Sequence, residues 1–143
     1  MSPVLRRGSD AGVLAATLVL SGCAAQATNV PAPTGPPASH MRVGLVEWGF
    51  ARSGSALVRG PVVLDVTNAG STPHDVEVRA GDKVLASSEV LRPGEEQTLH
   101  LDVSRLTEVT FLCTMPGHES EGMVSRIRVV APAAVGRDGR RSG

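Results

Sequence analysis

Cys113, His118 and Met123 recur at every fifth residue of FLCTMPGHESEGM, residues 111–123. A thiolate, an imidazole and a thioether are all metal-capable side chains. Five steps turn a helix by roughly 140° and place a strand's side chains on opposite faces, so neither regular element gathers the three. A loop must bring them together. Pro116, Gly117 and Gly122 supply the turns such a loop needs, and the segment reads as strand, tight loop, then a second strand beginning near Met123. Three such side chains on one short loop point to a metal site.

The elements that must position this loop are legible as short apolar runs from Met41 onward: MRVGLVEW, VVLDVTN, HDVEVRA, KVLASSEV, QTLHLDV, EVTFLC and MVSRIRVV, separated by Gly, Pro and Asn. Aromatic residues make up only 2% of the 143-residue chain, so a core must be built from Val, Leu and Ile, which favours strands. Seven runs without long helical periodicity predict a β-sandwich. Alternation then assigns faces. His74 shares the side of Val76 and Val78, opposite Glu77 and Arg79. Cys113 shares the side of Val109 and Phe111, and Met123 has the parity of Ile127 and Val129. Three metal-capable residues thus lie at inward-facing strand ends, with His118 coming from the connecting loop.

The ends of the chain read differently. Arg6 and Arg7 precede AGVLAATLVL, residues 11–20, an apolar run far shorter than the ~20 residues that span a bilayer, as in an export signal. The following LSGC, ending at Cys23, resembles the lipobox of bacterial lipoproteins, which implies a signal peptide over 1–22 and lipidation of Cys23. Sec and twin-arginine export both remain open. Residues 23–40, with Pro31, Pro33, Pro36 and Pro37, are expected to form a Pro-rich tether, residues 41–131 the domain, and residues 132–143 a disordered basic tail. If Cys23 carries lipid, Cys113 has no disulfide partner, and a bound metal would occupy its thiol. Formal charge is zero overall, and residues 41–131 hold nine Arg and Lys against twelve Asp and Glu, which gives no support to nucleic-acid binding.

With VTNAGSTPHDV upstream and LRPGEEQTLHLDV before the Cys strand, CTMPGHESEGM resembles the cupredoxins, the blue-copper proteins related to plastocyanin, azurin and auracyanin. The resemblance spans most of residues 41–131. It implies an all-β, cupredoxin-like Greek-key β-sandwich of about seven to eight strands, with one copper ion held by His74, Cys113, His118 and Met123. Copper alternates between a soft Cu(I), suited to thiolate and thioether, and a Cu(II) that accepts imidazole, so this donor set serves both. Zinc is the rival, but a thioether is a poor zinc ligand. A dinuclear copper centre would need a second Cys in the loop.

The family's residue after the first His is often an Asn that ties the two ligand loops; here it is Asp75. Asn68 and Gly70 are expected to shape the turn before His74, and Trp48 and Phe50 to serve in packing. His40 and His100 read as solvated, and Met115 lies too close to Cys113 to replace Met123. The resemblance implies a one-electron carrier rather than an enzyme, expected as a monomer, and the lipobox implies that it is tethered outside the cytoplasm to a bacterial membrane by the lipid on Cys23. Its ring of His118 would be the electron port beside Met115, Pro116 and Gly117, with Glu119 and Glu121 steering a redox partner such as a cytochrome or oxidase. The alternative is a lipid-anchored protein that stores or delivers copper. A nitrite reductase or multicopper oxidase would need a second copper site and more than one such domain.

Overall fold

The computed structural model describes residues 30–134. The expected signal peptide, Cys23 and the last part of the tail lie outside them. Nine strands and no helix occur among the described residues: β1 (His40–Val46), β2 (Gly49–Arg52), β3 (Leu57–Val58), β4 (Pro61–Asn68), β5 (Glu77–Ala80), β6 (Lys83–Ser87), β7 (Glu96–Asp102), β8 (Glu108–Leu112) and β9 (Val124–Val130). The sequence led us to expect about seven to eight. The difference lies in β2 and β3, four and two residues long, which are too short to show alternation and exist because a neighbour pairs with them.

The strands form two sheets, ordered β2-β1-β4-β7 and β3-β9-β8-β5-β6. Neighbours are antiparallel except β1 with β4 and β3 with β9. These parallel pairs join strands distant in sequence and draw the start and end of the domain into the sandwich. Period-two patterning fills the space between the sheets. In β4, Val62, Leu64, Val66 and Asn68 are buried while Asp65 and Thr67 are less so, and β9 likewise buries Ile127 and Val129 between exposed arginines. The chain's two phenylalanines meet across the sandwich, Phe50 of β2 edge-on to Phe111 of β8 at a centroid distance of 5.9 Å. Each fully buried Val, Leu, Ile or Phe contributes about 1.5–3 kcal/mol, and this core is almost entirely of those types.

The backbone joins the domain earlier than Met41. Thr34 donates to Arg52 at 3.2 Å, Ala38 to Ala56 at 3.0 Å, and Ala38 accepts from Val58 at 3.1 Å. Part of the Pro-rich segment expected as tether therefore runs along the stretch between β2 and β3. Its prolines sit where no strand ladder needs their missing N–H groups.

Candidate metal centre

Strand β8 delivers Cys113 to one end of the sandwich, and the loop from there to β9 is a series of turns. His118 N–H donates to Met115 at 3.1 Å, Glu121 to Gly117 at 3.1 Å, and Gly122 to Glu119 at 3.0 Å. Gly117 has φ = +86°, a conformation that glycine adopts without the cost a Cβ imposes. The loop then closes on itself: Cys113 N–H donates to the Met123 carbonyl at 3.1 Å, and Met123 N–H to the His118 carbonyl at 3.0 Å. The five-residue interval, awkward for helix or strand, becomes a folded loop whose three metal-capable residues are bonded to one another through the backbone.

His74 arrives from the opposite side, on the segment between β4 and β5. An antiparallel bridge to Leu91 holds it, with N–H donated at 3.1 Å and carbonyl accepting at 2.8 Å. Buried Asn68 shapes the approach: its amide donates to the carbonyls of Thr72 and Leu91, both at 2.8 Å, and its oxygen accepts from Gly70 N–H at 2.9 Å. This is the turn-forming role expected of Asn68.

The donor atoms converge. His74 Nδ1 lies 3.1 Å from His118 Nδ1, which is 3.4 Å from Cys113 Sγ, and the three lie within 4.8 Å of one another. His74, Cys113 and Met123 are buried, while the ring of His118 is half-buried. The strand parities of the sequence thus hold at all three inward positions, and Met123 joins the group through both its backbone bonds. His40 and His100 lie apart on the outer face, exposed, with His40 Nε2 2.6 Å from Asp65.

The electrostatics suit a cation. Burial pushes the Cys113 thiol up; the amides of Asp75 and Met115 work against that, and the Asp75 carboxylate adds to it. A neighbouring metal charge would reverse the preference and hold the sulfur as thiolate. Burial, and then the neighbouring His74 ring, pushes His118 down despite Asp75 and Glu47, which disfavours a proton on both of its nitrogens. One sulfur anion and two imidazole nitrogens facing a common point form a soft and borderline donor set of the kind copper accepts in both oxidation states.

Two residues that sequence reasoning left out of the site stand beside it. Glu47, in the turn between β1 and β2, places Oε1 3.1 Å from His74 Nε2. Trp48 sets its ring edge-on to His118 and His74, at centroid distances of 4.7 and 6.1 Å. No periodicity marks either, because the turn meets the 70–74 segment only in three dimensions. Asp75, by contrast, does what the residue following the first His was expected to do: its carboxylate accepts both the amide and the hydroxyl of Thr114, the residue after Cys113.

No sequence-family model matches the chain, and no curated protein matches it by sequence. Solved structures do match in shape. Reduced auracyanin from the photosynthetic bacterium Roseiflexus castenholzii is similar with a TM-score of 0.54 at 16% identity, covering 70% of this chain and 99% of that one. An azurin from Methylomonas sp. strain J gives 0.55 at 13%, over 64% and 97%. Auracyanin A, a blue copper protein from Chloroflexus aurantiacus, gives 0.52 at 15%, over 67% and 100%. Two sheets in this order, closed at one end by the Cys113–Met123 loop, are the cupredoxin fold.

Proposed function

We propose that the domain binds one copper ion through His74 Nδ1, Cys113 Sγ, His118 Nδ1 and the thioether of Met123, and works as a one-electron carrier. The observation that carries this reading is the convergence of two ring nitrogens and one sulfur within 4.8 Å, supplied by two separate segments. Bound copper would supply a single-electron couple, Cu(II)/Cu(I), tuned by its ligands.

The protein's own residues do the rest. Core packing around His74 and Cys113 excludes water, and the backbone bonds among Cys113, His118 and Met123 keep the loop from rearranging when the charge changes. The half-buried His118 is the route from the centre to a docked redox protein, such as a cytochrome or oxidase, with Met115, Pro116 and Gly117 around it. Glu119 and Glu121 are exposed on the same loop and would steer a basic partner, so transfer should slow as ionic strength rises. Burial of both His74 and Cys113 favours a carrier over copper storage or delivery, because releasing the ion would require opening the core. In this reading the carrier is a monomer, not an enzyme, exported by the 1–22 signal and tethered outside the cytoplasm through lipid on Cys23. Loss of detergent-phase partitioning in Cys23→Ser checks the tether.

The test of the centre is addition of Cu(II) to the purified domain with visible and paramagnetic resonance spectra. An intense thiolate-to-copper band with narrow hyperfine splitting is expected, and Cys113→Ser should abolish it. Copper bound with ordinary weak absorption would overturn the reading.

A further inference from the structure

We infer that Glu47 is a positioning residue of this centre: its carboxylate fixes which nitrogen of His74 faces the metal, and its charge biases the copper couple toward the oxidised state. The second half rests on the copper reading above; the first does not.

One oxygen of Glu47 collects five polar contacts. Oε1 accepts the amides of Ser71 at 2.8 Å and Thr72 at 2.9 Å, and the hydroxyls of Thr72 at 3.0 Å and Ser71 at 3.3 Å, with His74 Nε2 at 3.1 Å. An ionised carboxylate can only accept, so His74 Nε2 must carry a proton, and in the neutral ring Nδ1, on the side of His118 and Cys113, is then the nitrogen with the lone pair. The ring itself is fully buried, so no water competes for either nitrogen.

The two amides and two hydroxyls that converge on Oε1 are the surroundings of an accepting carboxylate. A fixed negative charge bonded to a ligand makes the imidazole a better donor and favours the more highly charged metal ion.

Gly70 shows how closely this contact is built. A Cβ there would lie 2.7 and 2.8 Å from the two Glu47 oxygens and 2.9 Å from His74 Nε2. Any side chain at position 70 would push into the carboxylate–imidazole bond. The link is also long-range: a turn between β1 and β2 orients a ligand carried on the segment before β5.

The test uses Glu47→Gln and Glu47→Ala, with Glu121→Gln as control, a carboxylate on the ligand loop that is exposed to solvent. Glutamine keeps the accepting oxygen and loses the charge. Its spectra should therefore stay close to wild type, while Cu(II) affinity relative to Cu(I) falls about tenfold, which is about 59 mV upward in potential. Glu121→Gln should shift the couple by less than a third of that.

Nitrogen-15 spectra of the metal-free protein read the tautomer directly. Wild type and Glu47→Gln should show a single Nε2–H form of His74, and Glu47→Ala a mixture. The inference is overturned if Glu47→Gln moves the potential no more than the control, or if Glu47→Ala leaves His74 in one unchanged tautomer. A wild type that takes up no copper would defeat the electron-carrier reading and the bias with it, and the tautomer spectra would still decide the positioning role. Should Glu47→Ala fail to fold, a mixed tautomer in wild type or Glu47→Gln would overturn that role equally.

Discussion

Asp75 is bonded to Thr114 twice, through the backbone amide at 2.6 Å and through the hydroxyl. The two residues follow His74 and Cys113 in the chain, so one carboxylate fastens the upstream ligand segment to the β8 end. Asp75→Ala removes both bonds and leaves the Thr114 amide without a partner in a part-buried position, which should cost about 2–3 kcal/mol of stability. Asp75→Asn retains an oxygen for the amide and an NH2 for the hydroxyl, and should cost less than about 1 kcal/mol. Denaturant unfolding of the metal-free variants checks the ordering; equal losses would mean that the charge, rather than the tie, matters.

Much of this centre was legible from sequence because it depends on alternation and on one loop. His74, Cys113 and Met123 turn inward as the parity of Val76, Phe111 and Ile127 requires, and Pro116 and Gly117 mark the turn that carries His118. Glu47 and Trp48 carried no such mark. Their positions are set by the β1–β2 turn reaching the 70–74 segment, a relation between separate elements that no local pattern encodes. β2 and β3 escaped for a related reason, being too short for periodicity and defined by their neighbours β1 and β9. The backbone bonds from Thr34 onward were hidden by composition, since a Pro-rich stretch reads as a linker even where it lies along the domain.

Phe50 and Phe111 are the aromatic link between the sheets, and Phe111 stands two residues before Cys113 on β8. Phe111→Ala would leave a cavity under the ligand strand and should cost about 3–5 kcal/mol, with weaker metal uptake as Cys113 loses its support. Phe111→Leu fills most of that space and should cost clearly less. Thermal unfolding with and without Cu(II) separates the two effects: a variant with normal uptake despite the full loss of stability would show that Cys113 is placed by its loop alone.

On the outer face of the first sheet, the Asp65 carboxylate meets the His40 ring at 2.6 Å and the Thr98 hydroxyl at 3.0 Å, and both hold it below its ordinary value of 3.8. A carboxylate with a depressed folded-state pKa contributes stability that is present above the unfolded value and is lost as pH falls through the folded one. Asp65→Asn should therefore be less stable than wild type at pH 5–6, with the gap closing below about pH 4. The pair is exposed, so the effect is small and should shrink further in salt. Denaturation series across that pH range are the measurement; a gap that widened in acid would have the wrong sign for this contact.

Trp48 is the chain's single tryptophan, and its ring lies edge-on to both imidazoles of the centre. Quenching of indole emission by Cu(II) falls off steeply with distance, and a ring 4.7 Å from that of His118 is close enough for nearly complete loss. Titration with Cu(II) should therefore extinguish most of the emission with a break at about one equivalent, and reduction to Cu(I) should restore part of it, since the filled d shell removes the low-lying acceptor states. Cys113→Ser, which weakens the ion's hold without moving Trp48, should blunt the break. Emission that declined gradually over several equivalents would place the copper on the exposed His40 and His100 face instead, far from the indole, and the centre built around His74 would lose its ion.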